Sequence, residues 1–139
     1  MVENVRLARV MTRLAAEDPN YGAYREKAIS ILGTFTGELS VYGVQGTETA
    51  LAVEELVREP LIIRIEGPPG DPAVHSLRRA ALAMSWPWVV VGTGLVTEGL
   101  PATAVLSRGG ASTTISRPEQ MVSAIKRLTI VLPAEAGKP

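Results

Sequence analysis

The chain has 139 residues, with 46% apolar residues, 14 Lys+Arg against 14 Asp+Glu, one histidine and no cysteine. This is the composition of a folded globular chain, too apolar to remain disordered and long enough to carry its own core. Zero net charge argues against a binder of duplex nucleic acid, which needs a basic face. The missing cysteines exclude disulfides, thiol catalysis and thiolate metal sites, and a single histidine excludes paired-His metal motifs.

The first 58 residues read as helical, with helices over about 2–16, 20–39 and 47–58. In the first, Leu7, Val10, Met11 and Leu14 form the stripe of an amphipathic helix, and Arg6, Arg9 and Arg13 fall opposite it as a solvated face. Arginines recur throughout this segment, so no secretory leader is read there. No run of 18 apolar residues exists to span a bilayer, and the expected location is cytoplasmic. Asp18-Pro19 supplies a cap and a first helical residue. Tyr21, Tyr24, Ala28, Ile31, Phe35 and Leu39 then give the longest apolar stripe in the chain. Thr47 is placed to cap a third helix with the stripe Ala50, Val53, Leu56 and Val57, ended by Pro60.

From residue 61 the apolar period changes from 3.6 to 2. Leu61, Ile63 and Ile65 alternate with Ile62, Arg64 and Glu66 as a strand over 61–66. Asp71-Pro72 opens a helix over 71–84 carrying Val74, Leu77, Ala81 and Met84. Trp88 to Val91 is a continuous apolar run, read as a strand over 87–92 covered on both faces, with Ile63, Ile65, Val89, Val90 and Val91 at the sheet centre. Trp86 is read as a bulky cap at the start of that strand. Strand, helix and strand make a right-handed βαβ unit. A third strand covers about 102–106, and a tight turn at Gly109-Gly110 leads to a short antiparallel partner at 112–115. Ser116 and Glu119 form a capping box for a helix over 117–128. The expected architecture is α/β: N-terminal helices packed on a small, mainly parallel sheet with two further helices. The expected organisation is a helical segment 1–58, an α/β domain 59–132 and a flexible tail 133–139.

No nucleophile elbow, phosphate loop or convincing acid/base pair is present, so no catalytic residue is assigned. Pro68, Pro69 and Pro72 remove backbone donors from the GPPGDP loop, and no lysine follows it. The loops after the first two strands lie on one edge of a parallel sheet, the usual place for a ligand. Gly67, Asp71, His75, Gly92 and Thr93 are therefore the candidate ligand-binding residues, with a small anion as the candidate ligand. No metal or cofactor is expected.

Several stretches in order carry a family resemblance. They are Glu3-Asn4 with the following LA and RLA, DPNY and YREKA in the second helix, PLIIRIEGPPGDPA, LRRAALA, LPATAVLSRGG and PEQM. Over about residues 2–128 the chain resembles the C-terminal end of thioredoxin-domain proteins related to N-acylglucosamine 2-epimerases, the spermatogenesis-associated type. That resemblance implies the small α/β tail that follows an (α/α)6 barrel and an N-terminal thioredoxin-like domain. It also implies a partner chain supplying the thioredoxin and barrel parts, and an alternative role within an enzyme acting on a sugar or small metabolite. The family often has two cysteines in the hairpin matching Leu106–Ala111; none is present here. The first expectation for function is a non-catalytic packing or assembly module. It would be a homodimer joined through the N-terminal helices, dissociated or unfolded by Phe35→Glu and indifferent to Arg9→Glu.

Overall fold

The computed structural model describes residues 2–35, 43–86, 88–94 and 99–130. The chain divides into two compact units, Met1–Pro60 and Leu61–Pro139.

The first unit contains α1 (Val2–Glu17), α2 (Gly22–Gly33) and α3 (Val44–Val57). Asp18 does initiate structure, but as a short 3-10 turn over Pro19–Tyr21: its Oδ1 accepts from the Asn20 N–H at 2.9 Å. The expected continuation of the second helix through residue 39 falls mostly on residues 36–42, outside the described residues, as does the tail at 133–139. The third helix begins at Val44, earlier than the expected Thr47 cap, with Gly43 at its N-cap. The buried core is Val5 and Ala8 of α1, Ala28 and Leu32 of α2, and Ala52 of α3. Met11, Ile31, Phe35, Val53 and Leu56 pack around it. Alanines at the contacts let helix backbones approach closely. Of the stripes read for α1 and α3, Met11, Val53 and Leu56 pack against this core as expected. Leu7, Val10 and Leu14 are exposed, as is Val57, whereas Thr49 and Glu55 are buried.

The second unit is α/β. Its elements are β1 (Leu61–Glu66), α4 (Pro72–Leu82), β2 (Val89–Thr93), β3 (Thr103–Arg108), β4 (Ala111–Ile115) and α5 (Met121–Ile130). The sheet order is β2-β1-β3-β4. Among the described residues only β1 and β2 pair in parallel; β1 with β3 and β3 with β4 are antiparallel. The sheet is thus mixed rather than mainly parallel. β3 runs antiparallel beside β1, and the hairpin of β3 and β4 completes the sheet. Gly109 and Gly110 both have positive φ, 57° and 75°, as a two-residue turn with right-handed strand twist requires.

Leu61, Ile63 and Ile65 of β1 meet Ala104 and Leu106 of β3, Ile115 of β4, Leu77 and Ala81 of α4, and Met121, Ala124, Ile125 and Leu128 of α5 in one core. The centre of the sheet is therefore β1 and β3. β2 is an edge strand, and Val89, Val90 and Val91 are only partly buried, not central as their continuous apolar run implied. Trp86 is 37% exposed and does not cap a core strand. Trp88 enters β2 with φ at 68°, and its carbonyl accepts from the Leu61 N–H at 3.0 Å. The capping box also moves by one residue. The Gln120 side chain accepts from the backbone N–H groups of Ser116 and Arg117, at 3.3 and 3.2 Å, in place of Glu119.

Candidate functional site

The five residues read as a ligand site lie around one end of the β1–β2 pair. Thr93 stands opposite Ile65, so Gly92 and Thr93 end β2 beside the point where β1 runs through Glu66 into Gly67. Asp71 is occupied as an N-cap: its Oδ1 accepts from the Ala73 N–H at 2.8 Å, as Asp before Pro predicts. His75 is exposed in the first turns of α4, Gly92 is buried, and Thr93 is exposed. The structure brings Gly67, Gly92 and Thr93 to one sheet end, with Asp71 and His75 following on the same loop and helix start.

Two carboxylates, Glu66 and Asp71, belong to this sheet end. A methyl group at Gly94 would collide with the Glu66 side chain, so that side chain lies directly against the backbone after β2. The second carboxylate, Asp71, belongs to the same loop. Gly67 is closely packed: its φ is 144°, and an added Cβ would stand 2.8 Å from Val74 Cγ2 and 3.0 Å from Ala102 Cα. Gly67→Ala is accordingly expected to destabilise the α/β unit by about 2 kcal/mol, through backbone strain and displacement of α4. Urea unfolding monitored by circular dichroism measures it. Among the described residues no group of three His, Asp or Glu side chains is placed to hold a metal ion.

A second polar constellation escaped the sequence reading. Glu55 of α3 is buried, its side chain only 5% exposed. Arg9 of α1 grips it with both prongs: Nε donates to Oε2 at 2.9 Å and Nη2 to Oε1 at 2.8 Å. Arg13 Nη2 donates to the same Oε1 at 2.9 Å, and Glu48 Oε2 lies 3.5 Å from Arg9 Nη1. Burial opposes ionisation of Glu55, but hydrogen bonds and charge from Arg9 and Arg13 prevail and hold its carboxyl below the ordinary range. The hydrogen bond to Glu55 pushes the Arg9 guanidinium up. Arg9 and Arg13 thus form part of the join between α1 and α3, not a free solvated face. The usable signal was the spacing Val5, Ala8, Thr12 together with Thr49, Ala52, Glu55: two small-residue faces, each flanked by charge.

This inward ion pair leaves the other side of α1 open. Leu7 is 46% exposed, Val10 54% and Leu14 37%. Neither a family model, nor a curated protein, nor a solved structure matches the chain. No described helix is long and apolar enough to cross a membrane.

Proposed function

We propose that this chain is a non-catalytic assembly module that self-associates through the outer face of α1. Its proposed location is the cytoplasm. The observation that carries the reading is the exposure of Leu7, Val10 and Leu14 on a helix whose inner face is sealed by Ala8 and the Arg9–Glu55 pair. They follow spacings of 3 and 4, those of a seam between two helices packed knobs into holes. Covering the three apolar side chains contributes about 1 kcal/mol each, since each is about half exposed already.

A second copy suits this seam. In an antiparallel two-fold pairing, Val10 meets Val10 of the other copy. Leu7 then lies beside the other copy's Leu14 at each end of the apolar contact. Ile31 and Phe35, expected at the interface, instead pack inside the helical unit, so Phe35→Glu should unfold it rather than separate copies. Light scattering tests the reading. The wild-type mass should exceed one chain at micromolar concentration, and Val10→Glu should reduce it at least tenfold in association constant with unchanged helicity. A wild-type chain that stays monomeric on concentrating, or a mass indifferent to Val10→Glu, overturns it.

A further inference from the structure

We propose that the helical layer of the α/β unit docks on an anionic lipid bilayer through the outward sides of α4 and α5. Leu77 and Ala81 of α4 enter one core with Met121, Ala124, Ile125 and Leu128 of α5, so both helices cover the same face of the sheet. Ile65 pairs with Ala104 and Ala104 with Ile115, so β1 and β4 end on one side and both helices start from it. The outward sides of this layer carry one sign of charge. Arg78 and Arg79 of α4 and Lys126 and Arg127 of α5 are exposed, and none of them is ion-paired among the described residues. Residues 72–82 and 121–130 contain no Asp or Glu. The acids that precede them, Asp71 and Glu119, stand at the helix starts, where Asp71 caps α4.

Charge complementarity selects a polyanion, and the apolar groups on the same layer select a lipid one. Leu82 is 66% exposed and Val122 47%. Leu82 follows Arg78 by four residues and Arg79 by three, and Val122 precedes Lys126 by four, so each shares a helix side with its cations. A phosphate backbone has no use for an exposed Leu or Val, and neither helix holds a Phe, Tyr or Trp on which bases could stack. A bilayer interface uses both kinds of group. Apolar side chains reach the acyl boundary, and Lys and Arg beside them lie among the headgroups. Clusters of about four to eight Lys and Arg are what hold proteins at anionic leaflets, and the leaflet facing the proposed cytoplasmic location is of that kind.

Flotation of the full-length chain with vesicles of phosphatidylcholine containing about 30% phosphatidylserine is the test. The chain should float with these vesicles, stay behind with phosphatidylcholine alone, and be released as salt rises from about 0.1 to about 0.5 M. Each cation near an anionic leaflet strengthens binding about fivefold, so Arg78→Gln with Arg79→Gln should lower the partition coefficient about 25-fold. Lys126→Gln with Arg127→Gln should do the same from the other helix. All four positions are exposed, so helicity should be unchanged in both double variants. Leu82→Ser should weaken binding about fivefold while leaving its salt dependence as it was. A wild-type chain that ignores the phosphatidylserine vesicles overturns the proposal. So does binding that survives both double variants, since another surface, such as the exposed side of α1, would then carry it. Retention of a single-stranded oligonucleotide in place of vesicles, lost in the same variants, assigns the layer to nucleic acid and overturns the proposal equally.

Discussion

Leu106→Ala is expected to lower the unfolding free energy by about 2–5 kcal/mol. Leu106 is fully buried at the middle of β3, an interior strand, and stands opposite Ile63 of β1. Truncation removes the transfer energy of three carbons and leaves a cavity. The surroundings resist collapse, because the sheet neighbours are fixed by ladders on both sides of β3 and α5 packs over the same face. Typical domains are stable by only 5–15 kcal/mol, so the loss is a large share of the total. Val90→Ala makes the comparison. It sits on the edge strand, part-exposed and outside this core, and should cost less than about 1 kcal/mol. Guanidinium unfolding of both variants checks the strand order: a Val90→Ala cost equal to that of Leu106→Ala would place β2 inside the sheet.

Glu55→Gln should destabilise the helical unit by about 3 kcal/mol, the low end of the range for breaking a buried ion pair. It strands the Arg9 guanidinium opposite a neutral amide and takes the shared acceptor from Arg13. Arg13 keeps 56% of its side-chain surface in water, which is why the low end applies. Arg9→Glu should be at least as damaging, since it sets a third carboxylate beside Glu48 and Glu55. The loss should depend on pH in one direction. The Glu55 carboxyl titrates lower in the folded chain than when unfolded. Its contribution is therefore complete above the unfolded value, about pH 4, and disappears as pH falls through the folded value. The stability gap between wild type and Glu55→Gln should stay level from pH 7 to about pH 5 and narrow below pH 4. A gap that widened on acidification would contradict the ion pair as the source.

The sheet was legible in the sequence to the extent that its signals are local. Alternation at Leu61, Ile63 and Ile65, the Asp71-Pro72 cap and the paired glycines 109 and 110 each act within a few residues, and each appears where expected. The candidate ligand residues also arrived at one sheet end, because parallel neighbours carry their following loops to the same edge. What that end could hold was not legible. The approach of Glu66 to Gly94 depends on the register between β1 and β2, and no spacing within either strand encodes it.

The helical half shows the opposite balance. Periodicity correctly marked α1 and α3 as amphipathic and directed Met11, Val53 and Leu56 inward, but it directed Leu7, Val10, Leu14 and Val57 inward as well. Tertiary packing chose the alanines and Val5, because close backbone approach and a satisfied Arg9–Glu55–Arg13 cluster required small neighbours. The sequence by itself therefore determined the composition limits, the α/β class, the break near Pro60 and the core strand β1. The order of the strands, the edge position of β2, the ionic join of α1 to α3 and the exposed Leu7–Val10–Leu14 face were decided only by the tertiary structure. Each depends on which distant segments meet, and the meeting residues are separated by tens of positions, beyond the reach of any local pattern.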